Sequence, residues 1–162
     1  DHGMTTVKET VELEKIINDF SRSHNLKLGK DFIYFLDSTI LRLWYFNEHA
    51  KNIFTKDFVC LEELTQTGCF VNEEMAKIDK IPFGDRRYGD TLWLANLGVL
   101  VFPDFFHRTE VYKGMHGYET TDKSSKGTCI VSGQAVEKGF TEAIDLTDVY
   151  GILKKELGLG VK

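Results

Sequence analysis

The sequence predicts an α/β fold on three observations. A segment with helical periodicity comes first, a pair of β-prone runs joined by turn-forming residues follows it, and a second pair of such runs stands after residue 90. The chain has 162 residues, of which 42% are hydrophobic and 28% charged, which is enough for one folded domain. We expect most of the chain to form one compact unit.

The first predicted element is an amphipathic helix over residues 12–24. Its apolar residues follow the spacing i, i+3, i+4 and i+7, and they are Leu13, Ile16, Ile17 and Phe20. A hairpin is predicted next, because the β-prone runs 32–36 and 40–46 flank the turn-forming sequence Asp37-Ser38-Thr39. We expect the helix to pack against this hairpin.

Two asparagines predict the starts of short helices. Asn47 and Asn72 each precede a segment with helical spacing, and asparagine is a preferred N-cap residue. The expected inward positions are Ile53 and Phe54 in the first helix and Met75 and Ile78 in the second.

The second half of the chain predicts three strands and a long loop. Residues 91–95 and 99–102 are apolar runs separated by Asn96-Leu97-Gly98, and residues 128–131 form a shorter one. Residues 103–126 have no clear period, and a loop of this length inside a compact domain is usually functional or disordered.

A final helix is predicted after Thr147, its expected N-cap, with Gly158 as the residue that ends it. Its expected inward side chains are Val149, Ile152, Leu153 and Leu157.

Charge and hydropathy exclude two classes of partner. The chain has 20 Lys and Arg against 25 Asp and Glu, a net charge of −5, and its densest basic pair, Arg86-Arg87, lies between Asp85 and Asp90. This pattern disfavours bulk nucleic acid, which requires clustered positive charge. The longest apolar run, residues 97–103, is far below the roughly 20 residues of a membrane-spanning helix.

The cysteines give an expectation about compartment. Cys60, Cys69 and Cys129 are odd in number and form no CxxC pair, so we interpret them as buried, unpaired thiols. Unpaired cysteines favour a reducing, cytoplasmic compartment.

Two short segments contain residue types that bind metals. Asp1-His2-Gly3-Met4 places a carboxylate next to an imidazole, and the glycine permits a sharp backbone bend. Lys113-Gly114-Met115-His116-Gly117-Tyr118 places a histidine between glycines inside the predicted loop. Adjacent Asp-His pairs also arise by chance, so each segment alone leaves the metal hypothesis open.

Together the segments resemble the metal motifs of type I phosphodiesterases and nucleotide pyrophosphatases, within the alkaline phosphatase superfamily. That family has DHGM and, far downstream, a KGMHGY-like motif, and here His116 follows His2 by 114 positions. Gly89-Asp90 before the strand at 91–95, Ser132-Gly133 and Leu157-Gly158 are similar to the C-terminal third of the family.

The resemblance implies a domain organisation. Residues 1–4 and 89–162 would be the C-terminal piece of a catalytic core with an alkaline phosphatase-like sheet, and residues 5–88 an inserted α+β lobe made of a helix and a hairpin. A piece of a larger sheet exposes an unpaired edge, so we expect possible self-association through that edge.

The resemblance also implies a metal-dependent hydrolase of phosphodiester or nucleotide pyrophosphate bonds. Its cofactors would be two divalent metal ions, zinc first among them, and its substrate a small phosphodiester or nucleotide. Asp1 and His2 would bind the metal nearer the nucleophile, His116 would bind the other metal, and Lys113 and Tyr118 would contact substrate.

In the family the nucleophilic threonine and the remaining metal ligands lie upstream of these motifs. The resemblance therefore assigns no catalytic nucleophile within this chain. We expect the chain alone to be inactive, with metal absent or only partly bound, because a zinc site usually needs three protein ligands.

Two other functions stay open. Residues 5–88 alternatively form a non-catalytic module that binds a nucleotide or a partner. Another member of the superfamily, such as a sulfatase or a cofactor-independent phosphoglycerate mutase, is a nearer alternative. The KGMHGY-like motif favours the phosphodiesterase branch over the sulfatases and the mutases.

Other polar residues are interpreted as structural. His24 and His49 have the positions of surface residues near helix ends, and His107 is left open as a substrate contact. Ser38 is interpreted as a turn residue and not as an activated hydroxyl, since no histidine or lysine base is near it in sequence.

Overall fold

Strands and helices alternate along the chain in the computed structural model, which describes residues 2–78, 81, 85–133, 139 and 142–159. The chain divides into two units, residues 1–127 and residues 128–162. The first unit contains a mixture of helices and strands, so the predicted α/β class is confirmed. The separate prediction that residues 5–88 are a lobe inserted into a larger core stays a prediction.

The elements of the first unit are numbered in chain order. They are β1 Thr5–Thr6, β2 Glu9–Val11, α1 Leu13–Ser23, β3 Phe32–Asp37, β4 Ile40–Tyr45, α2 Glu48–Lys56, α3 Glu62–Thr67, β5 Gly68–Phe70, α4 Glu73–Ile78, β6 Thr91–Ala95, β7 Val99–Val101 and β8 Gly114–Met115. Short 3-10 turns stand at Phe58–Cys60 and Lys123–Ser125. The second unit contains α5, Asp148–Glu156.

The predicted first helix and hairpin are confirmed. α1 lies inside residues 12–24, and β3 pairs antiparallel with β4 from Phe32↔Tyr45 to Asp37↔Ile40. Apolar side chains of α1 and of both strands are buried in one hydrophobic cluster that includes Leu13, Ile17, Phe20, Phe32, Leu36, Leu41 and Leu43. The helix therefore packs on the hairpin as expected.

The hairpin belongs to a four-stranded antiparallel sheet with the order β3-β4-β6-β5. β6 and β7 confirm the strands predicted on either side of residues 96–98. Trp93, on β6, is fully buried and donates from Nε1 to the carbonyl oxygen of Leu64 at 3.0 Å. This bond fixes the sheet against α3.

Two shorter strand pairs attach the amino-terminal residues to the second half of the first unit. β2 pairs parallel with β7, from Glu9↔Val99 to Val11↔Val101. β1 pairs antiparallel with β8. The predicted loop of residues 103–126 therefore includes a two-residue strand, β8. Its flanking glycine and polar residues lack the alternating apolar pattern that predicts a strand.

Both predicted asparagine caps are confirmed. Asn47 Oδ1 accepts from the Ala50 N–H, and Asn72 Oδ1 accepts from the Met75 N–H, each at 2.9 Å. The inward position predicted for Ile78 is wrong, because its side chain is 55% exposed. The buried side of α4 passes through Ala76, and two further residues rotate Ile78 by about 200° around the helix axis.

The second unit departs from the sequence prediction in two ways. Residues 128–131 form no strand, and Ile130 is 85% exposed. α5 ends at its predicted glycine, since Gly158 donates to the Lys155 carbonyl oxygen, but Leu153 and Leu157 are exposed instead of inward. An apolar run becomes a strand, and a helix face becomes buried, only where a partner covers it, and the described residues of this unit contain no strand.

The cysteines are exposed, so the expectation that they are buried is wrong. Cys60 lies at the end of a 3-10 turn, where its thiol donates to the Lys56 carbonyl oxygen. Cys69 lies on β5, where alternation points it away from the buried Gly68 side. Among the described residues, no helix has the length and apolar character needed to cross a bilayer.

The edges of the four-stranded sheet are β3 and β5. β3 is partly covered, because Leu28 bridges Phe32 and the Phe105 N–H donates to the Leu36 carbonyl oxygen at 3.3 Å. Self-association through a sheet edge stays a prediction.

The Asn47 cap gives the first testable prediction. Its side chain caps α2 and also donates from Nδ2 to Asp31 Oδ1 at 2.9 Å. We expect Asn47→Ala to lower the free energy of unfolding by about 1–2 kcal/mol, measured by urea denaturation. Asn52→Ala, at an exposed position inside α2, is the matched control and should have little effect. Equal stability of the two variants would contradict the capping role.

Candidate metal centre

The pairing of β1 with β8 brings the two predicted metal motifs together. Thr5 lies opposite Met115 and Thr6 opposite Gly114, and the Val7 N–H donates to the Lys113 carbonyl oxygen at 2.9 Å. Antiparallel strands run in opposite directions, so this register continues toward the amino terminus on one strand and toward His116 on the other. The two motifs are therefore neighbours in space.

The rings of His2 and His116 are stacked. Their centroids are 3.7 Å apart and their planes differ by 26°, and both side chains are exposed. The resemblance implies neighbouring metal sites, and the His2 and His116 side chains, called the histidine pair below, lie together although 114 positions separate them. Asp1, the third predicted ligand, lies outside the described residues.

Gly3 is required because the backbone passes very close to another segment. A Cβ at this position would lie 2.9 Å from the Lys126 carbonyl oxygen and would also clash with that of Ser124. Thr5 Oγ1 donates to Ser124 Oγ at 2.6 Å in the same region. The amino-terminal segment is therefore packed against the 3-10 turn, and a side chain at position 3 would displace His2.

Gly117 holds the other side of the histidine pair. Its φ of 85° lies in the left-handed region that favours glycine, and its carbonyl oxygen accepts from Thr39 Oγ1 at 2.8 Å. The neighbouring Tyr118 is buried and donates to the Val99 carbonyl oxygen at 3.0 Å. Both contacts fix the backbone directly after His116.

The two predicted substrate contacts differ in their surroundings. Lys113 is exposed immediately before β8, where its ammonium group can meet an anion. Burial raises the pKa of Tyr118, and its hydroxyl donates to the Val99 carbonyl oxygen inside the core. This position favours a packing role for Tyr118 over the expected contact with substrate.

The ring orientation of His2 suits a metal ligand. Its Nδ1 lies 2.9 Å from the Gly3 carbonyl oxygen, which can only accept, so Nδ1 is the donor in this contact. Metal-binding histidines typically donate their other N–H to a carbonyl or carboxylate oxygen in this way.

The stacking determines how the histidine pair can share metals. A ligand lone pair lies in the plane of its ring, and a zinc ion stands about 2.0–2.1 Å from the nitrogen. Two rings whose centroids are 3.7 Å apart and whose planes differ by 26° cannot both direct an in-plane lone pair at one ion at that distance. One ion for each ring is what the family resemblance implies.

Two imidazoles do not complete either site. Among the described residues, no group of three His, Cys, Asp or Glu side chains is arranged to hold a metal ion. A zinc site usually has three protein ligands, so further ligands, with Asp1 as the nearest in sequence, are needed. Arg86 and Arg87 supply no unpaired positive charge, because Arg86 is ion-paired with Asp90 and Arg87 with Asp85.

A scan of the chain against protein-family models gave no match. A search of curated proteins and a search of solved structures gave none either. The family resemblance therefore stands on the two sequence motifs.

A second polar cluster, called the Asp104 cluster, consists of Ser38, Asp104 and His107. Asp104 is 1% exposed, and its Oδ2 accepts from Ser38 Oγ and from His107 Nδ1, each at 3.0 Å. Its Oδ1 accepts from the backbone N–H groups of Phe106 and His107. Sequence reasoning missed this cluster because 66 positions separate Ser38 from Asp104.

The Asp104 cluster is not a nucleophile with its base. In a hydrolytic triad the imidazole lies between the hydroxyl and the carboxylate and accepts the hydroxyl proton. Here the Ser38 hydroxyl and the His107 N–H both donate to the same carboxylate oxygen. The cluster therefore ties the β3–β4 turn to residues 104–107, and the interpretation of Ser38 as a turn residue agrees with its contacts.

Asp104 gives a pH-dependent prediction. Burial by itself raises the pKa of Asp104. The hydrogen bonds from the His107 ring, from two backbone N–H groups and from Ser38 together lower it by more, so the pKa of Asp104 lies below its usual value of 3.8. The ionised form stabilises the fold at pH values above the unfolded pKa, and this contribution is lost as the pH falls through the folded-state pKa.

We therefore expect Asp104→Asn to destabilise the protein by about 1–3 kcal/mol near neutral pH, with a difference from wild type that shrinks in acid. Urea denaturation at a series of pH values measures this difference. Asp19→Asn, at an exposed position on α1, is the control. A difference that stays constant down to about pH 3 would contradict the ionised role of Asp104.

Proposed function

We propose that this chain is the C-terminal part of a metal-dependent hydrolase of phosphodiester or nucleotide pyrophosphate bonds. The observation that carries the proposal is the histidine pair: His2 and His116 come from the two motifs that resemble the family, and their rings lie 3.7 Å apart. Both histidines are exposed and lie 114 positions apart, so neither core packing nor closeness in sequence accounts for their contact.

The fold adds support for a larger parallel core. Parallel strands occur mostly in sheets covered by helices on both faces, and an isolated parallel pair is uncommon. β2 and β7 form such a pair. This pairing joins β2, within the proposed lobe of residues 5–88, to β7, within the proposed core piece, and supports the proposal that the core sheet is parallel.

The residues of this chain would bind and orient, and would not attack. Two divalent ions bound at such a centre stabilise the attacking and leaving oxygens of an in-line displacement. His2 and His116 would each offer a ring nitrogen, and the Gly3 carbonyl oxygen orients the His2 ring. Lys113, exposed beside β8, would offer its ammonium group to a phosphoryl oxygen.

The nucleophile would come from residues outside this chain. Ser38, a hydroxyl with a histidine nearby, is 5% exposed and donates to Asp104. In the family that the motifs resemble, an upstream threonine has this role. We accordingly expect no turnover by the 162-residue chain alone.

The alternative, a binding module within residues 5–88, has a candidate surface in a groove between β2, α1 and α3. The groove has a volume of about 830 Å³, and its ionisable lining residues are Lys15, His24 and five carboxylates, which are Glu9, Glu12, Asp19, Asp57 and Glu63. These carboxylates would repel the phosphates of a nucleotide. The groove therefore favours a cationic partner over the nucleotide version of this alternative.

Zinc titration of the chain by calorimetry tests the proposal. We expect the wild type to bind Zn²⁺ only weakly, because its sites are incomplete, and His116→Ala to weaken that affinity further by more than about tenfold with unchanged stability. His49→Ala, an exposed histidine on α2, is the matched control and should bind like the wild type. Zinc binding that is insensitive to both His2→Ala and His116→Ala would contradict the proposed centre.

Activity is tested with the upstream segment restored. That longer protein should hydrolyse a chromogenic phosphodiester with added zinc or manganese, and His116→Ala should reduce turnover. Absence of hydrolysis with every divalent metal tried would reject the assigned activity.

A further inference from the structure

The turn between β3 and β4 is unusually buried. Ser38 is 5% exposed and Thr39 is 6% exposed, whereas connecting segments usually lie on the surface. The Ser38 carbonyl oxygen accepts from the Val101 N–H at 2.8 Å, and the Thr39 carbonyl oxygen accepts from the Ala95 N–H at 2.9 Å. The turn is therefore fixed to the ends of β6 and β7.

The two hydroxyls of this turn reach both ends of one segment. Ser38 Oγ donates to Asp104 Oδ2 at 3.0 Å, and Thr39 Oγ1 donates to the Gly117 carbonyl oxygen at 2.8 Å. Asp104 begins and Gly117 ends the stretch that contains His116. Two adjacent residues of the hairpin thus hold the start and the finish of the loop.

The Thr39 bond acts directly beside the metal-binding histidine. Gly117 follows His116 and has a φ of 85°, and a Cβ there would lie 3.1 Å from Thr39 Oγ1. The close approach leaves the Gly117 carbonyl oxygen facing the hydroxyl. A shift of this residue away from Thr39 would move His116 relative to β1 and separate its ring from that of His2.

We propose that Thr39, assisted by Ser38, is a positioning residue of the candidate metal centre. Its hydroxyl holds the backbone of His116 at the distance from β1 at which the His2 and His116 rings stack. The consequence for metal affinity rests on the proposed function, whereas the consequence for ring stacking does not.

The test compares Thr39→Val, which removes the hydroxyl but keeps the shape, with Thr39→Ser, which keeps the hydroxyl. Thr65→Val is the matched control, because Thr65 Oγ1 bonds within α3 to the Glu62 carbonyl oxygen. Two readouts are used on the full chain: nuclear Overhauser contacts between the His2 and His116 ring protons without metal, and the affinity and visible spectrum of bound Co²⁺.

We expect Thr39→Val to lose the ring contacts and to weaken Co²⁺ binding by about tenfold, while Thr39→Ser and Thr65→Val stay close to the wild type in both readouts. Retention of the ring contacts in Thr39→Val overturns the inference. So does their loss in Thr39→Ser, because the hydroxyl is then not the determinant.

A Thr39→Val chain that does not fold transfers the test to Ser38→Ala, which should weaken the ring contacts by releasing Asp104, and unchanged contacts in a folded Ser38→Ala chain overturn the inference. A wild type with ring contacts but no Co²⁺ binding rejects the proposed function alone, and the positioning role is then decided by the ring contacts.

Discussion

The antiparallel pairing of β1 with β8 is the constraint on which the candidate site depends. It joins residues from the two ends of the first unit. Because Thr5 lies opposite Met115, the segment before Thr5 lies beside the segment after Met115. One glycine in each motif permits a close backbone contact: Gly3 packs against the carbonyl oxygens of Ser124 and Lys126, and Gly117 packs against the Thr39 hydroxyl. Each motif therefore contains, beside its histidine, a glycine that allows its segment to pack in place.

A ladder of two residues is too short to be stable by itself, since one hydrogen bond contributes only about 1 kcal/mol net. The pairing is supported from the core through the β3–β4 turn, whose hydroxyls contact Asp104 and Gly117. The hairpin is in turn held by the buried cluster that contains α1. Packing of α1 and the hairpin thus supports the exposed histidines through a few polar contacts, and we expect loss of one of these contacts to disturb the site.

Local patterns predicted the elements that local physics determines. The periodicity of α1, the turn of the hairpin and the caps at Asn47 and Asn72 are all decided within a few residues, and the structure agrees with each. Residues 128–131 show the limit, because an apolar run cannot become a strand without a partner. The meeting of His2 with His116 followed from the motif resemblance and not from periodicity. The Asp104 cluster had no signal in the sequence, since its contacts join positions 66 and 69 residues apart.

We propose that each of the stacked histidines binds one divalent ion. A crystal structure of the protein grown with Zn²⁺, with anomalous diffraction measured on both sides of the zinc absorption edge, tests it most directly. The account predicts zinc peaks about 2.0–2.1 Å from a ring nitrogen of His2 and of His116, with separate ions for the two rings. Anomalous peaks at other residues only, with neither histidine in contact with zinc, would contradict it.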